Sequence, residues 1–331
     1  MEDVAARAGV SRALVSIVFR DAPGASADTR SRVRAAADEL GYEPDRRASR
    51  LGRSRTRMIG VVFAFDGDFH AEVVDGLYTA AEQFGYEIVL SASTRRRSED
   101  DAVRAVLAER CEGAVLIGSR LPTRRIAELA ERVPTVVLLR HLRLAGVDTV
   151  RTDERAGMEL LVDHLAGLGH QRILHLDGGS APGAAQRRQA YREAMSRRGL
   201  IPRLLTGGLD EESGAEAADL IARAGPDERP TAITAFNDRC ALGVLHRLRG
   251  NGFEIPEDLS LTGFDDIPAA GHRHLQLTTV HQDADQLGRR AIVRLRDRLE
   301  QGQDAEPAVP VPARLVIRGT TAPLRVRRRR R

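Results

Sequence analysis

The chain contains only two cysteines among its 331 residues, Cys111 and Cys240. Both stand among apolar neighbours, and neither belongs to a C-x-x-C pair of the kind that binds zinc or carries redox chemistry. A disulfide framework and a zinc site are therefore excluded, and we expect two buried thiols in a reducing compartment. Lysine is absent altogether, a bias that reflects the base composition of a genome more than a function.

Long apolar runs are also missing. No stretch approaches the roughly 20 apolar residues that span a membrane, and the N-terminal segment MEDVAARAGVSR lacks the apolar core of a signal peptide. We therefore expect a cytoplasmic protein that has no membrane partner. With 42% hydrophobic and 30% charged residues the composition is that of a globular protein, and its length predicts two or three domains.

Signatures of catalysis and metal binding are not found. There is no nucleophile elbow or phosphate-binding loop, and residues 178–180 are typical of a turn between a strand and a helix. His164, His170 and His175 fall on a predicted helix, at its end and on a strand, a spacing that converges poorly on a metal ion. Because no activated nucleophile or acid–base pair is evident, we expect neither an enzyme nor a cofactor.

Positive charge is concentrated at the two ends of the chain. Residues 1–57 hold 12 arginines against 8 acids, and the tail 325–331 holds six more arginines. Because the net charge of the whole chain is +4, residues 58–324 carry about −6 by difference. An acidic body with a basic N-terminal segment predicts that nucleic acid contacts are confined to that segment. For the tail, a solvated disordered end and an extra nonspecific phosphate contact both fit the pattern.

The N-terminal segment has the pattern of a helix-turn-helix. Apolar residues recur at helical spacing before Gly9, and Ser11 is a suitable N-cap for a second helix. A third helix is predicted from Ser26 or Asp28 to Gly41. Such a three-helix head places its second helix in the major groove, although the pattern by itself also fits a generic helical hairpin. The residues expected to form its core are Val4, Ala5, Ala8, Val10, Leu14, Val15, Val18, Phe19, Val33, Ala36, Ala37 and Leu40.

From Met58 onward short apolar runs alternate with amphipathic helices. The predicted strands are MIGVVFAF, YEIVLSA, GAVLIG and TVVLL in the first half, and RILHLDG, a stretch near Ile201, TAITAF and LSLTGF in the second. The predicted helices lie near 70–84, 99–110, 123–132, 153–168, 184–198, 213–224 and 238–250. This order predicts an α/β body of two doubly wound parallel sheets, with a late helix at 283–301 and a strand at 314–319 that cross back between the lobes. Ligands of such sheets bind beyond the carboxyl ends of the strands, which here is the cleft between the lobes.

The order of these motifs resembles the LacI/GalR (lactose-repressor) family over essentially the whole chain. The matching elements are DVA at 3–5, AGVS at 8–11, VS at 15–16, TR at 29–30, Val33, LGY at 40–42, Pro44, Ala48 and Leu51 in the head and linker, and HLAGLGHQRI, FNDRCALG, DLSLTGFDD, LTTVHQD and LVIRGTT in the body. Family members usually have several residues, including a capping threonine, before the Asp-Val-Ala, so we expect the true start to lie upstream.

The resemblance implies a division of the chain into domains. A helix-turn-helix head would span 1–43, a hinge 44–57 and an effector-binding body 58–324, with the arginine tail at 325–331. The body would have the fold of periplasmic sugar-binding proteins. The two lobes would span about 58–151 with 283–311, and about 152–281 with 312–324.

In the head, the resemblance implies a recognition helix from Arg12 to about Phe19. The family usually has Thr, Arg and Asn where this chain has Leu14, Ile17 and Arg20. Loss of the arginine at position 17 removes a bidentate guanine contact worth about 1–3 kcal/mol, so a different operator is expected. The implied contacts are Arg12, Ala13 and Ile17 to base edges, and Ser11, Ser16 and Thr29 to phosphates.

Residues 43–57 form an arginine-rich linker that has two interpretations. One is a solvated, mobile tether. The other, implied by the family, is a hinge helix at roughly 45–52 that forms only on DNA in a dimer, with Leu51 wedged into the minor groove. We favour the hinge, because a single leucine in so cationic a segment suits a wedge. The implied DNA contacts of this segment are Arg46, Ala48, Arg50 and Leu51.

Three polar residues of the body are expected to face the effector. Asn237 follows the strand TAITAF, Asp265 follows LSLTGF, and Arg187 opens the helix after RILHLDG, in an R-x-x-A-Y segment that resembles the family's R-x-x-G-aromatic. An amide, a carboxylate and a guanidinium group together provide donors and acceptors for the hydroxyls of a polyol. Each residue also has a structural interpretation: Asn237 as a helix cap, Asp265 as a turn residue, and Arg187 as a surface arginine beside Arg188.

The loop 65–70 follows the first strand at the predicted mouth of the cleft. Phe65 or Phe69 would stack on a sugar face, and a buried packing role fits either residue equally well. Where sugar-binding family members often have polar residues, this chain has Ile117 and Leu139. We therefore expect an effector that is less hydroxylated than a hexose, or one that binds in a different pose.

Together these features predict a homodimeric repressor of carbohydrate-use genes. It would bind palindromic operator DNA and respond to a small effector, a sugar, in the interlobe cleft. Dimerisation follows from palindromic operators and from the body surfaces that the family pairs. Two alternatives are a free sugar-binding module, which would not need the head, and an α/β enzyme with an accessory DNA-binding head, which a turnover assay would reveal.

Overall fold

The computed structural model describes residues 1–19, 21–42, 55–65, 67–304 and 310–324. The chain divides into two compact units, Met1–Thr56 and Arg57–Arg331. The hinge helix predicted at 45–52, with Arg46, Ala48, Arg50 and Leu51, lies outside the described residues, as does the arginine tail. Within the described residues, no helix combines the length and the apolar character needed to cross a bilayer.

The first unit contains the three predicted helices, α1 (Glu2–Ala8), α2 (Arg12–Phe19) and α3 (Ala27–Glu39). Helix α1 ends at Gly9, whose φ of 65° is the left-handed conformation that glycine adopts without a steric penalty. The Oγ of Ser11 accepts the Leu14 N–H at 3.2 Å, and the Oγ of Ser26 accepts the Thr29 N–H at 3.2 Å, so a serine caps each of the two later helices.

The core of this unit is formed by the predicted apolar stripes, except for Leu14 and Leu40. Leu14 is half-buried and does not belong to the core cluster. Its buried members are Val4, Ala5, Ala8, Val15, Val18, Val33, Ala36 and Ala37. The prediction that Leu40 belongs to this core is wrong, because its side chain is 47% exposed. Helix α3 ends at Glu39, so Leu40 lies beyond the helical stripe that faces inward.

The first sheet of the second unit is parallel throughout, in the order β2-β1-β3-β4-β5. Its elements are β1 (Met58–Ala64), α4 (Asp68–Gln83), β2 (Glu87–Ser93), α5 (Glu99–Ala108), β3 (Gly113–Ile117), α6 (Thr123–Ala130), β4 (Thr135–Leu138) and β5 (Val147–Val150). The four predicted strands are confirmed. The sequence pattern missed β5, because Asp148 and Thr149 interrupt its apolar run; Asp148 is buried and pairs with Arg298 at 3.5 Å.

The second sheet is also parallel, in the order β7-β6-β8-β9. Its elements are α7 (Glu154–Gly167), β6 (Ile173–Asp177), α8 (Ala184–Arg197), β7 (Arg203–Thr206), α9 (Glu211–Arg223), β8 (Ala232–Ala235), α10 (Asp238–Gly250) and β9 (Ser260–Thr262). The strand predicted near Ile201 lies two residues further on, and Ile201 itself is 79% exposed. Two doubly wound parallel sheets were predicted, and two are present.

The last elements return to both sheets. They are a 3₁₀ turn (Pro268–Gly271), β10 (Thr279–His281), α11 (Ala284–Gln301) and β11 (Arg314–Val316). Helix α11 packs against α4 of the first sheet, and a Cβ added at Gly288 would lie only 2.5 Å from the carbonyl carbon of Gly76. Strands β10 and β11 form an antiparallel pair. The polypeptide therefore crosses between the lobes, whose strand ends face a shared cleft.

Candidate DNA-binding head and effector cleft

Helix α2 has one face in the core of the head and one face toward solvent. Val15 and Val18 are buried, whereas Arg12 and Ala13 are exposed and Ile17 is half-buried. This division follows from the helical repeat, since positions three apart share a face. The residues expected to reach base edges are thus on the part of the helix that is open to a partner.

The polar groups of the head are held by contacts that DNA can replace. The Arg12 guanidinium pairs with Glu2 at 3.0 Å, and both side chains are more than two-thirds exposed. Such an exposed pair contributes between about 0 and 1 kcal/mol, so a phosphate or a base competes with it readily. Ser11 caps α2 and Thr29 lies in the first turn of α3, and at both helix starts the backbone N–H groups and the helix dipole favour phosphate.

In the body, a cavity of about 300 Å³ lies between the lobes. This is the lower end of the volumes that bind small molecules. Its polar lining includes Arg187, Asn237 and Asp265, so the structure brings together the three residues that the sequence predicts to face the effector. They come from the carboxyl ends of parallel strands and the start of the helix that follows one of them.

Arg187 is buried at the first turn of α8. Its guanidinium carbon lies 3.7 Å from the ring centroid of Phe264 and 4.7 Å from that of Phe236, and its Nη1 donates to the Phe236 carbonyl at 2.5 Å. The surface interpretation of Arg187 is therefore wrong. Its Nε is buried and has no hydrogen-bond partner. An unsatisfied buried donor is costly, so a ligand acceptor placed beside it would gain binding free energy.

Asp265 lies next to this guanidinium and is only 8% exposed. Its Oδ1 accepts from Nε2 of Gln282 at 2.6 Å and lies 3.8 Å from Nη2 of Arg187. Burial raises the pKa of Asp265 to about 6, although Arg187 acts in the opposite direction. Asp265 and Asp266 have positive φ angles of 130° and 64°, a strain that costs on the order of 1–3 kcal/mol per residue and is concentrated at functional sites.

Asn237 lines the cavity and also caps α10. Its Oδ1 accepts the Cys240 N–H at 2.9 Å, and its Nδ2 donates to the Leu209 carbonyl at 3.0 Å. The capping interpretation is thus confirmed. One lone pair of Oδ1 and one hydrogen of Nδ2 remain for a ligand, so the cap and the effector contact are compatible.

The two phenylalanines predicted to lie in the loop 65–70 have different surroundings, because helix α4 already begins at Asp68 and includes Phe69. Phe69 is buried in the core and contributes to the cavity wall, whereas Phe65 is 77% exposed and does not line this cavity. Leu139 lines the cavity, but Ile117 does not. The ring of Phe236, which sequence reasoning missed, lies beneath Arg187 and forms part of the wall.

Other polar residues of the cavity were also missed. Gln282 comes from the end of β10, a short strand that the apolar pattern does not mark. Glu154 is buried at the start of α7 and pairs with Arg151 at 2.8 Å. His70 lies in the first turn of α4, Arg120 in the loop after β3 and Arg239 in the first turn of α10. Their position after strand ends is a signal that sequence reasoning did not use.

The three histidines of the second lobe are separated by their hydrogen bonds. His164 Nε2 contacts Thr321 at 3.0 Å, His170 contacts Thr231 and Ser260, and His175 contacts Thr234. Burial lowers the pKa of His175 to about 4, so its ring is neutral. Among the described residues, no group of three or more His, Cys, Asp or Glu side chains is placed to hold a metal ion.

Comparison with known proteins covers both units. Residues 1–45 match the family model described as bacterial regulatory proteins of the lacI family, and residues 162–321 match the periplasmic binding protein-like domain. The HTH-type transcriptional repressor PurR of Vibrio campbellii is 30% identical over 98% of this chain and 99% of its own length.

Two solved structures resemble the chain over nearly all of its length. The lac repressor dimer bound to operator and the anti-inducer ONPF is 29% identical to this chain, with a TM-score of 0.82. The match covers 97% of this chain and 98% of the lac repressor chain. The transcriptional regulator CelR in complex with cellobiose is 28% identical to this chain, with a TM-score of 0.71. The match covers 96% of this chain and 98% of the CelR chain. These matches agree with the helix-turn-helix head and the two-lobed body. The chain belongs to the LacI/GalR family of DNA-binding transcription regulators and is not an enzyme.

Proposed function

We propose that this regulator is a homodimeric, cytoplasmic repressor of carbohydrate-use genes, which binds a palindromic operator and is switched by a sugar in the interlobe cleft. The observation that carries the proposal is the buried group of Arg187, Asp265 and Gln282 at the carboxyl ends of the strands. The guanidinium group offers a donor and the carboxylate offers an acceptor, and a sugar hydroxyl can serve both.

The rest of the cavity wall suits a molecule with one polar edge and one apolar face. Phe69, Phe236, Leu139 and Ile267 line it together with the polar residues. Pyranose and furanose rings have C–H faces that pack on such side chains while their hydroxyls point outward. The cellobiose complex of CelR, a relative of the same fold, supports a sugar as the ligand class.

The head supports an operator as the second partner. Arg12, Ala13 and Ile17 would read bases, and Ser11, Ser16 and Thr29 would contact phosphates. A two-fold symmetric dimer would place two such heads on the two half-sites of a palindrome. The operator-bound dimer of the lac repressor supports this arrangement. Arg46, Ala48, Arg50 and Leu51 would add the hinge contacts.

A thermal-shift screen of neutral sugars, with nucleosides as a comparison class, tests the sugar assignment. A sugar at 100 times its dissociation constant should add about 2.7 kcal/mol to the free energy of unfolding. The shift should disappear in Arg187→Met. It should persist in the control Glu193→Gln, because Glu193 also lies on α8 but pairs with Arg155 and does not line the cavity. A shift by nucleosides alone would refute the sugar, and an equal shift in Arg187→Met would refute the site.

A further inference from the structure

A second and larger cavity opens beside the effector cleft. It has a volume of about 680 Å³, and its lining includes Phe65, Ser93, Thr94, Arg95 and Arg120. We call it the outer cavity. It shares Arg120, Asp210 and Arg239 with the wall of the cleft cavity, so the two spaces adjoin.

The topology of the first sheet explains why arginines meet there. Strand β1 lies between β2 and β3, and all three run parallel. Ala64 is paired with Ser93, so the residues that follow β1 and β2 emerge side by side. Arg95 follows the end of β2 and Arg120 follows the end of β3, at the edge of the sheet where ligands of such folds bind.

Two of the arginines in this cavity are already engaged. Arg97 donates to the Ala92 carbonyl at 2.6 Å and to Ser91 Oγ at 3.0 Å, and Arg239 pairs with Glu211 at 2.7 Å. Arg95 and Arg120 are exposed, and neither guanidinium group forms an ion pair or a hydrogen bond with the described residues. Two guanidinium groups that line the same cavity, without an ion pair among the described residues, provide donors for an anion.

The carboxylates of the outer cavity do not cancel this charge. Glu99 uses its Oε2 to accept the Arg120 backbone N–H at 3.0 Å. Asp210 caps α9, where its carboxylate accepts the Ser213 N–H at 3.0 Å. The lining holds four arginines and two carboxylates. Glu211 neutralises one of the four, Arg239, so the space keeps a positive balance (four minus three).

We propose that the outer cavity binds the phosphate group of a phosphorylated sugar, with Arg95 and Arg120 as its ligands. The proposal rests on the proposed function, because the sugar ring would occupy the cleft beside Arg187 and Asp265. A phosphate dianion suits this place, since a guanidinium group donates two parallel hydrogen bonds to phosphate oxygens. The exposed ring of Phe65 at the rim would cover the carbon that carries the ester.

Calorimetric titration of the full chain at constant ionic strength tests the proposal. The probes are glucose and glucose 6-phosphate, ribose and ribose 5-phosphate, and inorganic phosphate. The variants are the double substitution Arg95→Ala with Arg120→Ala, and the control Arg96→Ala. Arg96 is exposed and adjacent in sequence, but it does not line the outer cavity.

We expect one phosphate ester to bind at least about tenfold more tightly than its parent sugar in the wild type and in Arg96→Ala. In the double variant, the ester and the parent should bind within about twofold of each other. The anion site would be overturned if the wild type bound the ester and its parent sugar equally. It would also be overturned if the double variant still bound the ester more tightly than the parent sugar. In both cases binding of the parent sugar leaves the proposed function intact.

If neither sugar nor ester binds the wild type, the sugar assignment itself is wrong, and inorganic phosphate decides the anion site. An affinity for phosphate that falls about tenfold in the double variant, but not in Arg96→Ala, would support the site. The same phosphate affinity in all three proteins would overturn it.

Discussion

Asp265 has a buried carboxyl group whose ionisation opposes folding. Burial raises its pKa from 3.8 to about 6, even though Arg187 lies nearby. The substitution Asp265→Asn removes the charge but keeps the shape, and it keeps the oxygen to which Gln282 donates at 2.6 Å. We expect this variant to be more stable than the wild type at neutral pH, while it loses an acceptor for the effector.

The sign follows from proton binding. The folded carboxyl group holds its proton more tightly than the unfolded one, so the wild-type free energy of unfolding falls as the pH rises from about 4 to about 6. A pKa of about 6 instead of 3.8 corresponds to a destabilisation of about 3 kcal/mol above pH 7. Asp238 reinforces the effect, because burial and repulsion from Asp265 raise its own pKa to about 7.

Urea denaturation followed by far-ultraviolet circular dichroism measures the difference, since the chain has no tryptophan for fluorescence. Asp265→Asn should be more stable than the wild type by about 3 kcal/mol at pH 8, and by less than about 1 kcal/mol at pH 4. Asp210→Asn is the matched control: the pKa of Asp210 is lowered, so this variant should be less stable at pH 8. A stability gain for Asp265→Asn that is the same at both pH values, or absent at pH 8, would refute the reasoning.

Three further predictions concern other parts of the molecule. Ile17→Arg should shift the operator preference toward a guanine at one symmetric position of each half-site. Selection of binding sites from random DNA by the wild type and the variant measures the preference. Identical preferred sequences would show that residue 17 does not contact a base. Gly288→Ala should lower the free energy of unfolding by about 1–3 kcal/mol, because the new Cβ meets the backbone of α4, whereas Gly167→Ala has open space and should be neutral or slightly stabilising. Burial raises the pKa of Cys111 to about 11 and that of Cys240 to about 12. Iodoacetamide at pH 8 should therefore label the two thiols only after the protein unfolds. Rapid labelling of the folded protein, followed by mass spectrometry, would contradict their burial.

Much of the fold follows from apolar patterning. The strands β1 and β3 are continuous apolar runs, because parallel strands between two layers of helices are buried on both faces. Strand β5 contains Asp148, a buried carboxylate that Arg298 neutralises across the lobe. Strand β10 has only three residues and pairs with β11 far along the chain. Long-range partners decide such short strands, so a local pattern does not reveal them.

The candidate site was predicted in part for a similar reason. Arg187, Asn237 and Asp265 follow strand ends and match a family motif, so the sequence points to them. The burial of Arg187 between two aromatic rings depends on how α8 packs against the ends of β8 and β9, which no local pattern specifies. Arg120 was missed because it resembles any exposed arginine until the parallel order of the first sheet places it in the same cavity lining as Arg95.

The most direct test of the account is operator binding measured with and without the effector. Fluorescence anisotropy would follow the titration of a selected palindromic operator by the wild type and by Asp265→Asn, each in the absence and presence of the sugar found by thermal shift. Coupling of 1–3 kcal/mol between two sites corresponds to a change of about 5- to 150-fold in affinity. We expect such a change for the wild type. For Asp265→Asn we expect an operator affinity near that of the wild type, which the sugar no longer changes. An operator affinity that the sugar leaves unchanged in the wild type, or an equal response in both proteins, would contradict this expectation.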